Sequence, residues 1–213
     1  MRIAVQGLPY IVSGAVVCFI GLLLLRKGMP WGWALAAPGI LMTAFCLFFF
    51  RDPDRALPAD DSKIYSPGDG KVLSVVKERE GGAETIRIFL SVFDVHIQRA
   101  PVSGMVKKIE YRPGTFALAM EKEAESNERN VVTIHEERRK ADVEVEQIAG
   151  FVARRIRCWT EEGARLTAGQ RYGLIQFGSQ AAVHLPAGAR PLVKPGDRVR
   201  GGITVIGEWT EPK

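Results

Sequence analysis

The 213-residue sequence contains few cysteines and no acidic residue in its first 50 positions. Its three cysteines, Cys18, Cys46 and Cys158, are odd in number and widely spaced, so they provide neither a disulfide framework nor a zinc-binding pattern, and no metal site is predicted. All 24 acidic residues and 26 of the 29 basic residues follow residue 50, so that part of the chain is nearly neutral. Because nucleic-acid-binding surfaces need a clustered excess of Lys and Arg, nucleic acid is not a predicted partner.

Two long uncharged runs fill the N-terminal 50 residues. They cover 3–25 and 28–50, and each run of 23 residues can cross a hydrocarbon core of about 30 Å as a helix. The first run has no A-x-A-like cleavage site and a second run follows at once, which favours a retained anchor over a signal peptide. Since the connector at 26–30 is short, residues 1–50 are predicted to form a hydrophobic membrane hairpin. Two full spans and a shallow insertion into one leaflet are equally compatible with the pattern.

The rest of the chain is typical of a small β-rich domain. Residues 51–63 form a polar linker, and residues 64–213 alternate apolar and polar positions or contain β-branched runs, as at 85–88, 131–134, 143–146 and 203–206. One short helix is predicted at 116–125. The predicted fold class is therefore mostly β, a β-rich α+β domain with a compact, barrel-like shape.

Two similar turn segments occur at 162–169 and 195–202, and each is followed by an apolar strand. Glycines flanking a small spacer and an apolar residue favour tight corners, because glycine adopts positive φ without strain. The pattern resembles the repeat of lipoyl and biotinyl domains. No lysine lies at a hairpin tip between hydrophobic neighbours, so the resemblance indicates the shape without the carrier function.

Three short segments contain residues that could carry chemistry. They are 66–72, 93–104 and 177–180, and they supply an acid, a base and a hydroxyl in Asp69, His96 and Ser179. Each residue also has a structural interpretation, because aspartate and serine are common in turns and a histidine at a strand end is often simply hydrogen bonded. Together they form the set that nucleophilic catalysis uses.

Several motifs in the same order resemble one family. They are Phe-Arg-Asp-Pro at 50–53, Ser-Pro-Gly-Asp-Gly-Lys-Val at 66–72, the segment 96–104, Tyr-Arg-Pro-Gly-Thr-Phe at 111–116, Asn-Glu-Arg-Asn at 127–130, and Gly-Leu-Ile-Gln-Phe-Gly-Ser-Gln at 173–180. Collinear motifs at matching spacing are far more specific than any single one. Over nearly its whole length the chain resembles the short prokaryotic phosphatidylserine decarboxylases.

The resemblance implies a proenzyme that makes its own cofactor. The chain would cut itself between Gly178 and Ser179 into a β chain, 1–178, and an α chain, 179–213, and Ser179 would become a pyruvoyl group. In this scheme the Ser179 hydroxyl attacks the Gly178 carbonyl carbon, and His96, oriented by Asp69, takes the hydroxyl proton. The pyruvoyl group would form a Schiff base with phosphatidylserine and accept the electrons released with CO₂, giving phosphatidylethanolamine.

One position departs from the family pattern. Longer members have two histidines three residues apart, and Arg99 occupies the second position in this chain. Either His96 alone performs the proton transfers, or Arg99 contacts a phosphate or carboxylate of the substrate while His96 does so. His135 and His184 are the remaining candidates for a base. The arginines within 154–157 could meet anionic headgroups or form a solvated face.

Two other functions stay open at the level of the sequence. A membrane-anchored, lipoyl-like tether without catalysis and a serine hydrolase using Ser179, His96 and Asp69 both predict an intact bond after Gly178. For the decarboxylase, the predicted partners are phosphatidylserine in the bilayer, the α and β chains of one precursor, and a second copy in a homodimer. The predicted location is the inner cell membrane, with the catalytic domain on the cytoplasmic face.

Overall fold

The computed structural model describes residues 2–77, 84–115, 126–150, 155–176 and 179–210. The predicted helix at 116–125 and the first residue of the predicted cleavage site, Gly178, lie outside these ranges. The chain folds into two compact units, Met1–Asp54 and Arg55–Lys213. We refer to them as the hairpin unit and the β-rich unit.

The hairpin unit consists of two apolar helices, α1 (Leu8–Arg26) and α2 (Trp33–Phe49). A short antiparallel pair, β1 (Arg2–Ile3) with β2 (Arg51–Asp52), joins its two ends. Both helices are long and apolar enough to cross a membrane, and many of their large apolar side chains are exposed. The predicted hairpin is confirmed, and its composition is compatible with membrane association.

Glycines form the seam between the two helices. A Cβ on Gly21 would overlap the backbone nitrogen of Ala36, and a Cβ on Gly39 would overlap that of Cys18. Gly14 lies one heptad before Gly21 and faces Thr43 in the same way. Small residues at such a seam let helix backbones approach closely, which is how helices gain packing energy where no water drives them together.

The β-rich unit is a set of antiparallel strands. In chain order they are β3 (Lys63–Tyr65), β4 (Gly70–Val76), β5 (Thr85–Leu90), β6 (Ile97–Arg99), β7 (Gly104–Arg112), β8 (Arg129–Glu136), β9 (Ala141–Ala149), β10 (Arg155–Cys158), β11 (Arg165–Leu166), β12 (Arg171–Gln176), β13 (Ser179–His184), β14 (Ala189–Pro191), β15 (Arg198–Val199) and β16 (Val205–Trp209). An eight-stranded sheet curls into a half-barrel in the order β11-β7-β8-β9-β13-β5-β4-β15. Two three-stranded sheets, β10-β12-β6 and β14-β16-β3, complete the described strands of this unit. The predicted β-rich, barrel-like fold is confirmed.

The core is built by alternation along the strands. Ile86 and Ile88 of β5 and Val143 and Val145 of β9 are fully buried in one apolar cluster, as their period-two spacing predicts. The expected strand at 203–206 begins only at Val205. Residues 203 and 204 instead close a turn, because their backbone N–H groups donate to the carbonyl of Arg200.

The two similar turn segments become the two edges of the eight-stranded sheet. One contains β11, which pairs with β7, and the other contains β15, which pairs with β4. Each edge strand is flanked by glycines at positive φ, Gly163 and Gly169 in one copy and Gly196 and Gly202 in the other. These are conformations that residues with a Cβ rarely adopt, so the glycine spacing seen in the sequence is required by the turns.

The repeat also includes the segments on which these turns pack. The backbone N–H of Arg99 donates to the carbonyl of Pro67 at 2.8 Å, and that of Tyr65 donates to the carbonyl of Pro101 at 2.9 Å. Residues 65–67 and 99–101 therefore hold each other by reciprocal hydrogen bonds, as two copies related by a local two-fold would. The glycine pattern of the sequence predicted the turns but not this second half of the repeat.

Candidate active site

Ser179 begins the central strand of the half-barrel. Strand β13 lies between β5 and β9, which places Ser179 opposite Leu90 on one side and Ala149 on the other. Alternation puts its side chain on the face of Ala181, which belongs to the apolar core. The residue is fully buried, and its Oγ has no hydrogen-bond partner among the described residues. A buried hydroxyl without a partner costs free energy, which is why such groups in native proteins call for a functional explanation.

His96 lies just before β6 and is fully buried. Its Nδ1 is 3.0 Å from the carbonyl oxygen of Asp94. Because a carbonyl can only accept, Nδ1 carries the hydrogen and Nε2 is the nitrogen that can take a proton. The His96 carbonyl accepts from the N–H of Ile175 at 3.3 Å, so His96 lies beside the end of β12, the strand that leads into the predicted cleavage site.

The loop before His96 is held by the Asp94 side chain. Its Oδ2 accepts from the N–H of Ser91 at 2.9 Å, and its Oδ1 accepts from the Arg198 guanidinium at 3.2 Å. Ser91 directly follows Leu90, the neighbour of Ser179 on β5. The same short loop therefore connects the strand beside Ser179 to the histidine.

Asp69 is fixed by a different partner from the one expected. Its carboxylate accepts two hydrogen bonds from the Arg55 guanidinium, at 2.7 and 2.8 Å, and a third from the N–H of Gly201 at 2.8 Å. The predicted orientation of His96 by Asp69 is therefore wrong for the described structure, in which the Asp94 carbonyl bonds the imidazole. Both carboxylate oxygens of Asp69 accept hydrogen bonds from Arg55, and this bidentate pairing orients the carboxylate toward the arginine instead of the histidine.

The internal repeat separates two roles of Asp69. At the equivalent position in the other copy, the Ser103 Oγ accepts a hydrogen bond from the N–H of Ala168 at 2.9 Å. The turn at Gly201 therefore needs only a side-chain acceptor at position 69. The negative charge of Asp69 is used for Arg55, whose guanidinium also donates to the Gly201 carbonyl at 2.6 Å.

Arg99 packs between the two turn segments. Its side chain is almost fully buried, its Nη1 donates to the Gly169 carbonyl at 2.8 Å, and its Cδ lies against Gly202. The structure thus gives Arg99 a definite role in joining the two glycine turns. Its contact with substrate stays a prediction.

The other two histidines lie away from Ser179. His135 bonds Asp142 at 2.6 Å, seven residues along β9 from Ala149, or about 24 Å at 3.4 Å per residue. His184 is on β13 itself, but the alternation of the strand directs it to the opposite face. Neither histidine is therefore placed to take the Ser179 proton. Of the basic cluster at 154–157, Arg155 and Arg157 are exposed and Arg154 lies outside the described residues.

A buried ionic group surrounds His184. Its Nε2 is 2.8 Å from Glu146 Oε1, its Nδ1 is 2.8 Å from the Thr85 hydroxyl, and Arg129 reaches the other Glu146 oxygen at 3.1 Å. Burial alone would raise the pKa of Glu146. The hydrogen bond and charge of His184, with the charge of Arg129, outweigh burial and lower that pKa from 4.5 to about 2.

This pKa predicts how stability responds to acid. A carboxylate with a lowered pKa stabilises the fold above its unfolded value, so the contribution of Glu146 should be complete above about pH 5 and lost as the pH falls toward 2. Its size is on the order of 3 kcal/mol. We expect Glu146→Gln to lower the unfolding midpoint at pH 7 and to flatten its decline between pH 5 and 3, measured by thermal unfolding in nonionic detergent. An equally steep decline in the variant would contradict this assignment.

Comparison with known proteins gives the family. Residues 42–207 match the family described as phosphatidylserine decarboxylase. The chain is 42% identical over 214 residues to the phosphatidylserine decarboxylase proenzyme of Ralstonia pickettii (strain 12J), covering 97% of this chain and 95% of that protein. This chain belongs to the phosphatidylserine decarboxylase family. Proteins of the same name from Cupriavidus pinatubonensis (strain JMP 134 / LMG 1197) and Beijerinckia indica subsp. indica (strain ATCC 9039 / DSM 1715 / NCIMB 8712) are 43% and 44% identical, covering 99% and 95% of this chain and 97% and 88% of their own lengths.

Two residues of the site in this phosphatidylserine decarboxylase family member were not predicted from the sequence. Arg55 binds Asp69, and the Asp94 carbonyl orients His96. Because every residue type has a backbone carbonyl, the sequence does not indicate that the carbonyl two residues before His96 bonds the imidazole. Arg55 follows the Phe-Arg-Asp-Pro motif by two positions, but nothing in the sequence pairs it with Asp69. Across the described ranges, no group of three or more His, Cys, Asp or Glu side chains is arranged to hold a metal ion.

Proposed function

We propose that this chain is a self-processing, pyruvoyl-dependent phosphatidylserine decarboxylase. The observation that carries the proposal is the Ser179 hydroxyl, fully buried and without a partner among the described residues, at the start of the central strand of a family member. The three named relatives are all proenzymes, which supports processing of this chain into two. A pyruvoyl group made from Ser179 itself also fits this position, because the protein does not then have to bind a separate cofactor.

Cleavage requires an attack by Ser179 on the preceding residue. Its Oγ forms a bond to the Gly178 carbonyl carbon while the bond from that carbon to the Ser179 nitrogen breaks, and the hydroxyl proton goes to His96 Nε2 and on to the released amine. Removal of the Ser179 α-proton then expels the Gly178 carboxylate and leaves dehydroalanine. Addition of water to this residue releases ammonia and gives the pyruvoyl group. Asp69 is retained as a proposed member of the machinery, acting through the turn it shares with Gly201.

The two chains should stay together after the cut. Strand β13 pairs with β5 and β9 along its whole length, and Ala181 and Val183 are in the core. The new N-terminus is therefore held in the sheet without the peptide bond. The pyruvoyl group would supply a ketone that takes up the substrate amine and accepts the electron pair released with CO₂. His96, held at Nδ1 by the Asp94 carbonyl, is the proposed donor of the proton that replaces CO₂.

The hairpin unit suits a lipid substrate. Drawing a two-chain lipid out of a bilayer costs about 0.8 kcal/mol per CH₂, so an enzyme anchored in the same membrane needs to receive only the headgroup. The inner membrane, with the β-rich unit on the cytoplasmic side, and a homodimer remain parts of this proposal. Membership of the family does not favour the tether or the hydrolase. The following experiment distinguishes both of them from the decarboxylase.

The test is an intact-mass measurement on the purified protein with an assay of CO₂ release from phosphatidylserine. We expect chains of 178 and 35 residues, the shorter blocked at its N-terminus by a carbonyl, and CO₂ release that hydroxylamine abolishes. A single uncut chain without CO₂ release would overturn the proposal in favour of the tether or the hydrolase.

A further inference from the structure

A second candidate site is a cavity on the outer face of the half-barrel, and one of its lining residues, Ser91, directly follows Leu90, the residue opposite Ser179. It is an open cavity of about 340 Å³ at the ends of β4, β5 and β15. Lys71, Phe89, Ser91, Asp94 and Arg198 line it. None of these residues belongs to the set predicted from the sequence.

Two cations face each other across this cavity. Lys71 on β4 and Arg198 on β15 are directly opposed in the antiparallel register. Like charges in such a pair repel, which is unfavourable unless an anion lies between them. Arg198 is partly compensated by Asp94 at 3.2 Å, whereas Lys71 has no ion-pair partner in the described part of the chain. Together, Lys71, Arg198 and Asp94 give the cavity a net charge of one positive unit.

The register places this charge near the reacting residue. Lys71 is opposite Phe89 on β5, and Phe89 is opposite Gln180 on β13, the residue after Ser179. Two strand spacings of about 4.8 Å put the Cα atoms of Lys71 and Gln180 about 10 Å apart. By alternation Lys71 and Gln180 lie on the outer face, whereas the Ser179 side chain lies on the core face, so the headgroup reaches residue 179 around the end of β13 at which Ser179 lies. A lysine side chain and an extended headgroup together cover that distance.

We propose that Lys71 and Arg198 bind the phosphodiester of the substrate headgroup, while its amine reaches position 179. This inference rests on the proposed function and adds a binding site to it. A phosphodiester carries one negative charge, which matches the charge of the cavity, and Lys and Arg are the usual phosphate ligands of proteins. Asp94 then has two functions, because its side chain orients the Arg198 guanidinium and its carbonyl orients the His96 imidazole.

The test uses the full-length protein in neutral, nonionic micelles. The variants are Lys71→Gln and Arg198→Gln, and the matched control is Arg200→Gln, which removes the same charge from an exposed position two residues away. For Lys71→Gln we expect normal self-cleavage, a KM for phosphatidylserine raised about tenfold, and a nearly unchanged kcat. For Arg198→Gln, whose guanidinium also bonds Asp94 in the loop before His96, we expect the same rise in KM. The Arg200 control should retain the original KM.

A binding measurement gives a readout independent of turnover. The uncut Ser179→Ala protein should bind glycerophosphoserine, and adding Lys71→Gln should weaken that binding about tenfold. The proposal would be overturned if both cavity variants kept the original KM and Lys71→Gln did not weaken binding to the Ser179→Ala protein. An equal loss in the Arg200 control would also overturn it, because a general attraction to anionic lipid would then be responsible. Failure of the proposed function looks different, since the original protein itself would then be uncut or would release no CO₂.

Discussion

Replacing Ser179 with alanine should leave the 213-residue chain uncut and reduce CO₂ release from phosphatidylserine by at least about 10³-fold. The hydroxyl is the proposed nucleophile of the cleavage, and its carbon skeleton is the proposed source of the pyruvoyl group. Removing it therefore abolishes both steps. Intact mass reports the first step, and CO₂ release reports the second.

The burial of Ser179 makes this variant easy to interpret. Its Oγ is buried without a partner in the described structure, so alanine removes an unsatisfied polar group and leaves the packing unchanged. Removing such a group is neutral or stabilising, so the unfolding temperature should not fall. A matched control is Ser74→Ala on β4, which should cleave normally. Cleavage of the Ser179 variant at the original rate would rule out its role as nucleophile.

Replacing Asp69 with alanine should destabilise the β-rich unit strongly. The change leaves the nearly buried Arg55 guanidinium without its carboxylate and the Gly201 N–H without its acceptor. Breaking a buried ion pair on one side costs about 3–5 kcal/mol. For a protein of this size we expect an unfolding temperature lower by roughly 10 °C, together with slow cleavage.

Two further variants separate the structural role of Asp69 from its role in cleavage. Asp69→Ser should keep the bond to Gly201, as Ser103 does to Ala168, but leave Arg55 unpaired. Combining it with Arg55→Met removes the buried charge, so most of the lost stability should return. We expect this double variant to be stable but still slow to cleave. If cleavage recovers together with stability, Asp69 acts through the fold alone.

The features that depend on periodicity and on glycine were predictable from the sequence. Alternation in β5 and β9 indicated the core face, and the glycine spacing indicated the two edge turns. The pairing of Asp69 with Arg55 was not predictable, because a carboxylate and an arginine 14 positions apart in irregular segments have no periodic relation. The sequence also offered no means of choosing between the Asp94 carbonyl and the Asp69 carboxylate as the partner of His96.

The position of His184 was only partly predictable. Its place five residues after Ser179 on an alternating strand left both faces open. The structure puts it on the opposite face, where Glu146 and Thr85 bond it. The deciding factor is a buried carboxylate on β9, a neighbouring strand whose register the sequence does not reveal.

The reciprocal repeat also predicts when the proposed self-cleavage can occur. The turn containing Gly201 closes on Asp69, and it lies 22 residues after Ser179 in the order of synthesis. A growing chain therefore contains the proposed scissile bond before it contains the segment that completes these turns. We expect a nascent chain that ends before residue 195 to remain whole, so that the ribosome releases a finished precursor rather than two fragments. After the proposed cut, the contacts of Arg55 and Asp69 with Gly201 would help to hold the α chain to the β chain.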